Sequence, residues 1–185
     1  MATYLTKYGL DQAPLAQEYL QTVRTAGLKG AVLPAGKVEV LESIQMKCQI
    51  PLCEHYGWRV CPPNLPPLAV FRRALADYEA VFVVVLEVPL AEVRGHEPDL
   101  RLDDFLQRSE GWALGKGCYW AFGLGSRSCY RCKRCDLSSP CPRPYVPRPS
   151  PEAMGIDITY LAREAGLPLH WPLGDDVTYY GLFFL

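Results

Sequence analysis

The chain has almost no net charge and no long hydrophobic run. Its 185 residues hold 19 basic and 20 acidic side chains, a formal net charge of -1, whereas proteins that coat nucleic acid or an anionic membrane usually carry a large basic excess. The balance argues against nucleic acid as a partner. No apolar stretch approaches the length of a membrane span. The opening MATYLTKYGLDQAPLAQEYL has no basic flank, no continuous apolar segment and no small-residue cleavage site of a secretory signal. The expectation is a cytoplasmic protein without a membrane partner. Nucleotide-binding signatures are missing too: GWALGKG lacks the spacing of a phosphate-binding loop, and FGLGSRS is an isolated glycine pair. Three cysteines separated by three and then two residues, the radical-SAM spacing, do not occur. No Ser-His-Asp or Cys-His arrangement stands out. Cys53 is followed by Glu54 and His55, but adjacency in sequence does not turn side chains toward one another. No catalytic residue is named on this basis. There is no internal repeat, heptad pattern or low-complexity tail.

Two residue types are abundant: eight cysteines and 17 prolines. In a reducing compartment eight cysteines do not read as four structural disulfides, so their spacing points to metal ligation or redox chemistry. The prolines cluster around them, in CPPNLPP and SSPCPRPYVPRPSP. Each proline removes a backbone donor and fixes φ, so these stretches are expected to be irregular loops.

Between the loops the chain alternates helix and strand patterns. Ala16, Tyr19, Leu20 and Val23 share one face of an N-terminal helix over about 11–26, with Asp11 as its cap, Pro14 in its early turn and Gly27 as its stop. KVEVLES (37–43) alternates like a half-exposed strand. LAVFRRALADYEA (68–80) has a helical apolar face and feeds VFVVVLEV (81–88), a β-branched run suited to a strand buried on both faces. A further helix over about 100–116 precedes an aromatic strand, CYWAFGL (118–124). Asp157 caps ITYLAREA, with Gly166 past its end, and LPLHW and TYYGLFF close the chain as strands. This pattern predicts one α/β domain over 1–185, in two or three layers, with a central mixed sheet flanked by helices and cysteine loops at 48–63 and 129–149.

The second loop is the more informative. Cys129, Cys132 and Cys135 are separated by two residues each, and Cys141 follows after five, next to Pro142. Short gaps let successive sulfurs turn toward a common polynuclear centre, and a later Cys-Pro closes the set, as in the bacterial ferredoxin run whose last gap is three residues. In two-cluster ferredoxins that fourth cysteine ligates the other cluster, which leaves the destination of Cys141 open. Zinc sites are more often built from two separated pairs, so iron-sulfur ligation, by one or two 4Fe-4S clusters, is favoured over zinc and over metal-free thiols.

Cys48, Cys53 and Cys61 form the first set, and Cys61-Pro62 repeats the Cys-Pro junction. They hold a second cluster or complete the first in a crossed arrangement. Cys118 would bring the count to eight, but it opens an apolar strand where a buried inert thiol is common. If it is not a ligand, His55 is the nearest substitute. His96 and His170 give no such signal. Around the second loop Arg127, Arg131, Lys133, Arg134, Arg143 and Arg148 face only Asp136. Cations here would stabilise an anionic cluster and could dock an acidic redox partner; a solvated basic loop is the plainer account.

The combined pattern C-x4-C-x2-YG-x3-CPP, YWAFGL, C-x2-C-x2-C-x5-CPRP and RPSPEAMGIDI resembles a family of unknown function described as predicted metal-binding proteins, from about Lys47 to the C-terminus. The resemblance implies a ligand set of Cys48, Cys53, Cys61, Cys129, Cys132, Cys135 and Cys141, with Cys118 where relatives more usually have an aromatic residue. It implies metal binding and no reaction. In RPSPEAMGID, Ser150 capping a turn begun by Pro151 is a sufficient structural account. The function expected is electron transfer to or from a redox partner protein. The alternatives are a zinc-stabilised interaction module and a cluster enzyme with one open iron.

Overall fold

A ten-residue strand with eight of its residues buried organises the molecule. The computed structural model describes residues 13–169 and 174–185. The elements run α1 (Pro14–Thr25), β1 (Lys29–Pro34), α2 (Glu42–Gln45), α3 (Leu68–Leu75), β2 (Ala80–Pro89), α4 (Glu97–Gly115), β3 (Phe122–Leu124), α5 (Ile158–Glu164) and β4 (Asp176–Phe184). The strands form one sheet in the order β1-β2-β4-β3.

Successive side chains of a strand point to opposite faces, and β2 uses both. Phe82, Val84, Leu86 and Val88 pack with Tyr179 and Phe183 of β4 against α1 and α4. Val81, Val83 and Val85 pack with Tyr180, Leu182 and Phe184 against α3 and α5. The result is three layers, helices on either side of a sheet. On the first face Tyr19 of α1 lies between Phe82 and Phe183, at 4.6 and 4.7 Å between ring centroids. Its hydroxyl, which has no water to turn to, donates to Ser109 Oγ of α4 at 2.8 Å. α4 settles on the sheet through Leu102, Phe105, Leu106, Ser109 and Ala113, a helical stripe. It comes so close to β4 that a Cβ on Gly181 would lie 2.7 Å from Leu106 Cδ1 and 3.1 Å from the Leu124 carbonyl oxygen.

The α/β class, the single compact unit and the flanking helices are as expected. The sheet, however, is antiparallel in every pairing and not mixed. β2 and β3 run in the same direction across the α4 crossover, which is what alternating helix and strand patterns announce, but β4 inserts antiparallel between them. A strand buried on both faces therefore arises without a parallel neighbour.

Other boundaries moved for local reasons. KVEVLES is not a strand. Lys37 ends a 3-10 turn, and Val40 alone bridges to Ile156. Arg72 Nε takes the Val40 carbonyl at 2.8 Å and Leu41 N–H donates to Gly155 O at 2.8 Å, so the segment satisfies its backbone without a ladder. The helix after Pro67 stops at Leu75, and the aromatic strand shrinks to its last three residues. β1 was not anticipated at all. Residues 167–169 are not a strand, and the rest of LPLHW, like Asp11 and His170, lies outside the described residues. Asp157 does cap α5, accepting from Tyr160 N–H at 3.0 Å, and Gly27 and Gly166 take positive φ past the ends of α1 and α5. Among the described residues no helix is long and apolar enough to cross a membrane.

Candidate metal centre

Both cysteine loops leave the sheet on long connections, the first between β1 and β2, the second between β3 and α5. The first loop is a succession of tight turns that begin or end on thiol-bearing residues. Cys53 N–H donates to Cys48 O at 3.1 Å, Cys61 N–H to Trp58 O at 3.0 Å and Asn64 N–H to Cys61 O at 3.0 Å. The Asn64 side chain donates back to Gly57 O at 2.7 Å, and Gly57 takes φ of 89°, a value that glycine adopts without strain.

The second loop has little regular backbone pairing and is pinned by charge. Arg131 pairs with Asp104 of α4 at its start. At its end Arg148 grips Glu110 of α4, with Nε donating to Oε1 at 2.8 Å, while Nη1 donates to the carbonyls of Tyr145, Val146 and Pro147. Asp136 closes the turn between these clamps by accepting from Ser138 N–H at 2.9 Å and from the Ser138 and Ser139 hydroxyls at 2.7 and 2.8 Å; these hydrogen bonds, the Ser138 hydroxyl first, hold its carboxyl down at about 2. Arg59 of the first loop donates to Asp136 O at 2.7 Å and to Ser139 O, so the two loops are tied together.

Two adjoining cavities divide the cysteines. Cys129, Cys132, Cys135 and Cys141 line one of about 190 Å³, together with Trp58, Arg59, Arg131, Arg134 and Arg143. Cys48, Cys53 and Cys61 line a second, more open one of about 310 Å³, with His55, Arg127, Tyr130 and Glu152. Cys61 stands between the two: its sulfur is 3.4 Å from Ser128 Oγ, and its thiol feels the charge of Cys53 on one side and of Cys135 and Cys129 on the other. The loops therefore meet in space, four cysteines around one cavity and three around the other.

Cys118 lines neither cavity. Its N–H continues the end of α4 by donating to Ala113 O at 2.9 Å, and its side chain packs against the core on the α1/α4 side of the sheet. His55 does enter the three-cysteine cavity, packed edge-on against Trp58 at 4.3 Å and Tyr130 at 5.2 Å. His96 stacks flat on Tyr130 at 3.5 Å, a neighbourhood that the sequence did not announce. Nor did it announce Tyr130 or Glu152, whereas Arg127 was among the basic residues expected near the centre. Ser150 caps its turn as expected, accepting from Ala153 N–H at 3.2 Å, but that same turn delivers Glu152 to the cavity.

Burial pushes the Cys48, Cys61 and Cys129 thiols up, and nearby thiols reinforce the shift; the Arg131 N–H directed at Cys129 opposes it. Such thiols stay protonated at neutral pH unless a cation replaces the proton, which is what a bound metal does. The rim of the four-cysteine cavity is cationic and backed by a row of carboxylates on α4. Buried Asp99 accepts from Ser126 Oγ at 2.8 Å and faces Arg127 Nε at 3.6 Å and His96 Nδ1 at 3.7 Å. Asp103, 5% exposed, is pushed up to about 7, chiefly by burial; Asp99 and Asp104 add to the shift, and Arg131 and the Ser126 N–H oppose it. One of its oxygens, Oδ1, has no hydrogen-bond partner.

Among the described residues, no three His, Cys, Asp or Glu side chains converge as the ligands of a single ion. All eight cysteines are free thiols. Soft sulfur donors, guanidinium groups on the rim and a backbone N–H aimed at a sulfur suit a thiolate-bound metal group of negative overall charge.

An antiparallel α/β/α domain with two thiol-lined cavities defines a cysteine-rich protein of the α/β class. No curated protein and no solved structure matches it. The chain belongs to the family of predicted metal-binding proteins named domain of unknown function 2284, whose model matches residues 31–185 and so takes in both cavities.

Proposed function

We propose that this chain is an iron-sulfur protein that carries a 4Fe-4S cluster in the four-cysteine cavity and passes single electrons between it and a partner enzyme, with a second metal centre in the three-cysteine cavity. The observation that carries the reading is that Cys129, Cys132, Cys135 and Cys141, spaced like ferredoxin ligands, stand around one cavity. A polynuclear core asks its thiolates to stand around it, each on its own iron, whereas a single zinc ion asks them to converge at bonding distance from one point.

The cluster supplies the one-electron step. The chain supplies the setting. Arg131 N–H directed at the Cys129 sulfur and the guanidinium groups of Arg59, Arg131, Arg134 and Arg143 offset negative charge and so favour the reduced state. Cys132 is exposed, which puts that edge of the site at the surface. Around it lie exposed Lys133, Arg134 and Arg143, with Leu137 50% and Tyr145 83% exposed. A basic rim with apolar side chains among it fits an acidic redox protein that docks transiently.

The test is iron, acid-labile sulfide and zinc per chain on protein purified without oxygen, with EPR before and after dithionite. Iron with sulfide and a signal in the reduced state is expected, and Cys132→Ser should lose the visible absorption of the four-cysteine site. Zinc without sulfide would replace this reading by that of a metal-stapled interaction domain.

A further inference from the structure

The three-cysteine cavity is one protein ligand short of a full set. The eighth cysteine does not line it: Cys118 is held at the end of α4 against the α1/α4 core. Two other side chains of suitable chemistry line the cavity, His55 and Glu152. We propose that Glu152 is the fourth protein ligand of the metal centre held by Cys48, Cys53 and Cys61. The inference rests on the cluster reading above and adds the composition of its second site.

The backbone that bears Glu152 is fixed against the segment that bears Cys48. Gln45 Nε2, three residues before Cys48, donates to Ala153 O at 2.8 Å, and Leu41 N–H donates to Gly155 O at 2.8 Å. Gly155 takes φ of 77° where a Cβ would come within 2.9 Å of the Leu41 carbonyl oxygen, so the close approach depends on glycine. Among the described residues Glu152 forms no salt bridge; it hydrogen-bonds with the Ser150 side chain and lines the cavity together with three thiols and Arg127. A carboxylate beside three thiols gives a metal a mixed oxygen and sulfur donor set, which it binds by displacing the thiol protons. His55 is the poorer candidate, since its ring is wedged edge-on between Trp58 and Tyr130.

A carboxylate oxygen is a harder donor than a thiolate and holds an iron less firmly against oxidative loss. One-electron oxidation of a 4Fe-4S core in its 2+ state by ferricyanide gives the 3+ core and ferrocyanide. Release of one ferrous ion then leaves a 3Fe-4S core in its 1+ state, which is EPR-active.

The experiment treats anaerobic wild-type protein, Glu152→Cys, Glu152→Gln and His55→Ala with ferricyanide, after iron and sulfide have been counted in each. Wild type and His55→Ala should each release one iron per chain and acquire the 3Fe signal. Glu152→Cys should retain all its iron under the same treatment. Glu152→Gln, which keeps the shape and removes the charge, should shift the EPR signal of the reduced second cluster. Equal iron loss in wild type and Glu152→Cys with an unmoved spectrum in Glu152→Gln would overturn the assignment, as would a shift caused by His55→Ala instead. Protein without sulfide before any oxidant is added would overturn the cluster reading itself, a different result seen at a different step.

Discussion

Replacing Asp103 by Asn should lift a stability penalty that grows with pH. The carboxyl is buried on α4 against Gly125, with one oxygen unpartnered, and takes up its proton at about 7 in place of 3.8. The native state therefore binds this proton more tightly than the unfolded chain does, so stability is full below pH 4, falls as pH rises toward 7 and levels above it. The whole shift corresponds to at most about 4 kcal/mol at about 1.4 kcal/mol per pH unit, and linkage places roughly half of it or a little more between pH 5 and pH 8. Asn keeps the size and can still accept from Ser126 N–H, but it does not titrate. Urea unfolding of anaerobic wild type and Asp103→Asn at pH 5 and pH 8 reads the effect. The gap between the two proteins should widen in favour of the variant by about 2–3 kcal/mol at the higher pH. Parallel pH dependences in the two proteins would refute the reasoning, because every other titrating group is common to both.

Two further changes test how the loops and layers are held. Gly181→Ala places a methyl group against Leu106 and the Leu124 carbonyl, and should cost about 1–3 kcal/mol by overpacking, seen as a lower urea midpoint. Arg148→Ala removes the guanidinium from Glu110, which keeps the Gly123 N–H, and from three loop carbonyls; a loss of about 2–3 kcal/mol is expected. Limited proteolysis should then cut the 129–147 segment faster than in wild type, and an unchanged cleavage rate would count against the clamp.

The cysteine sets were legible because ligand spacing is local, and so were β2 and β4, whose apolar runs exceed anything a loop would carry. β1 was not: KGAVLP contains a glycine and ends on proline, has no clean alternation, and becomes a strand only because β2 offers it an edge. KVEVLES failed for the reverse reason, since its alternation is real but its backbone partners are Arg72 and Gly155, distant in sequence. The division of seven thiols into four and three depends on Arg59, Arg131 and Arg148 tying loops to each other and to α4. Those pairings span 27 to 80 residues, and periodicity carries no information about them. Glu152 stayed hidden because a cap and a proline turn account for its stretch completely until Cys48 is seen beside it.

The position of β4 has a consequence for biogenesis. It is the last of the four strands to be synthesised, yet it occupies an interior slot, pairing with β2 on one side and β3 on the other. Until it emerges, β2 and β3 have no common neighbour and α4 has no floor for Leu102 and Leu106. All seven thiols of the two cavities have by then left the ribosome, on loops whose anchors on α4 are not yet in register. The walls that gather the seven thiols around the two cavities are accordingly complete only once β4 has docked, so the last strand made sets the moment at which both cavities close.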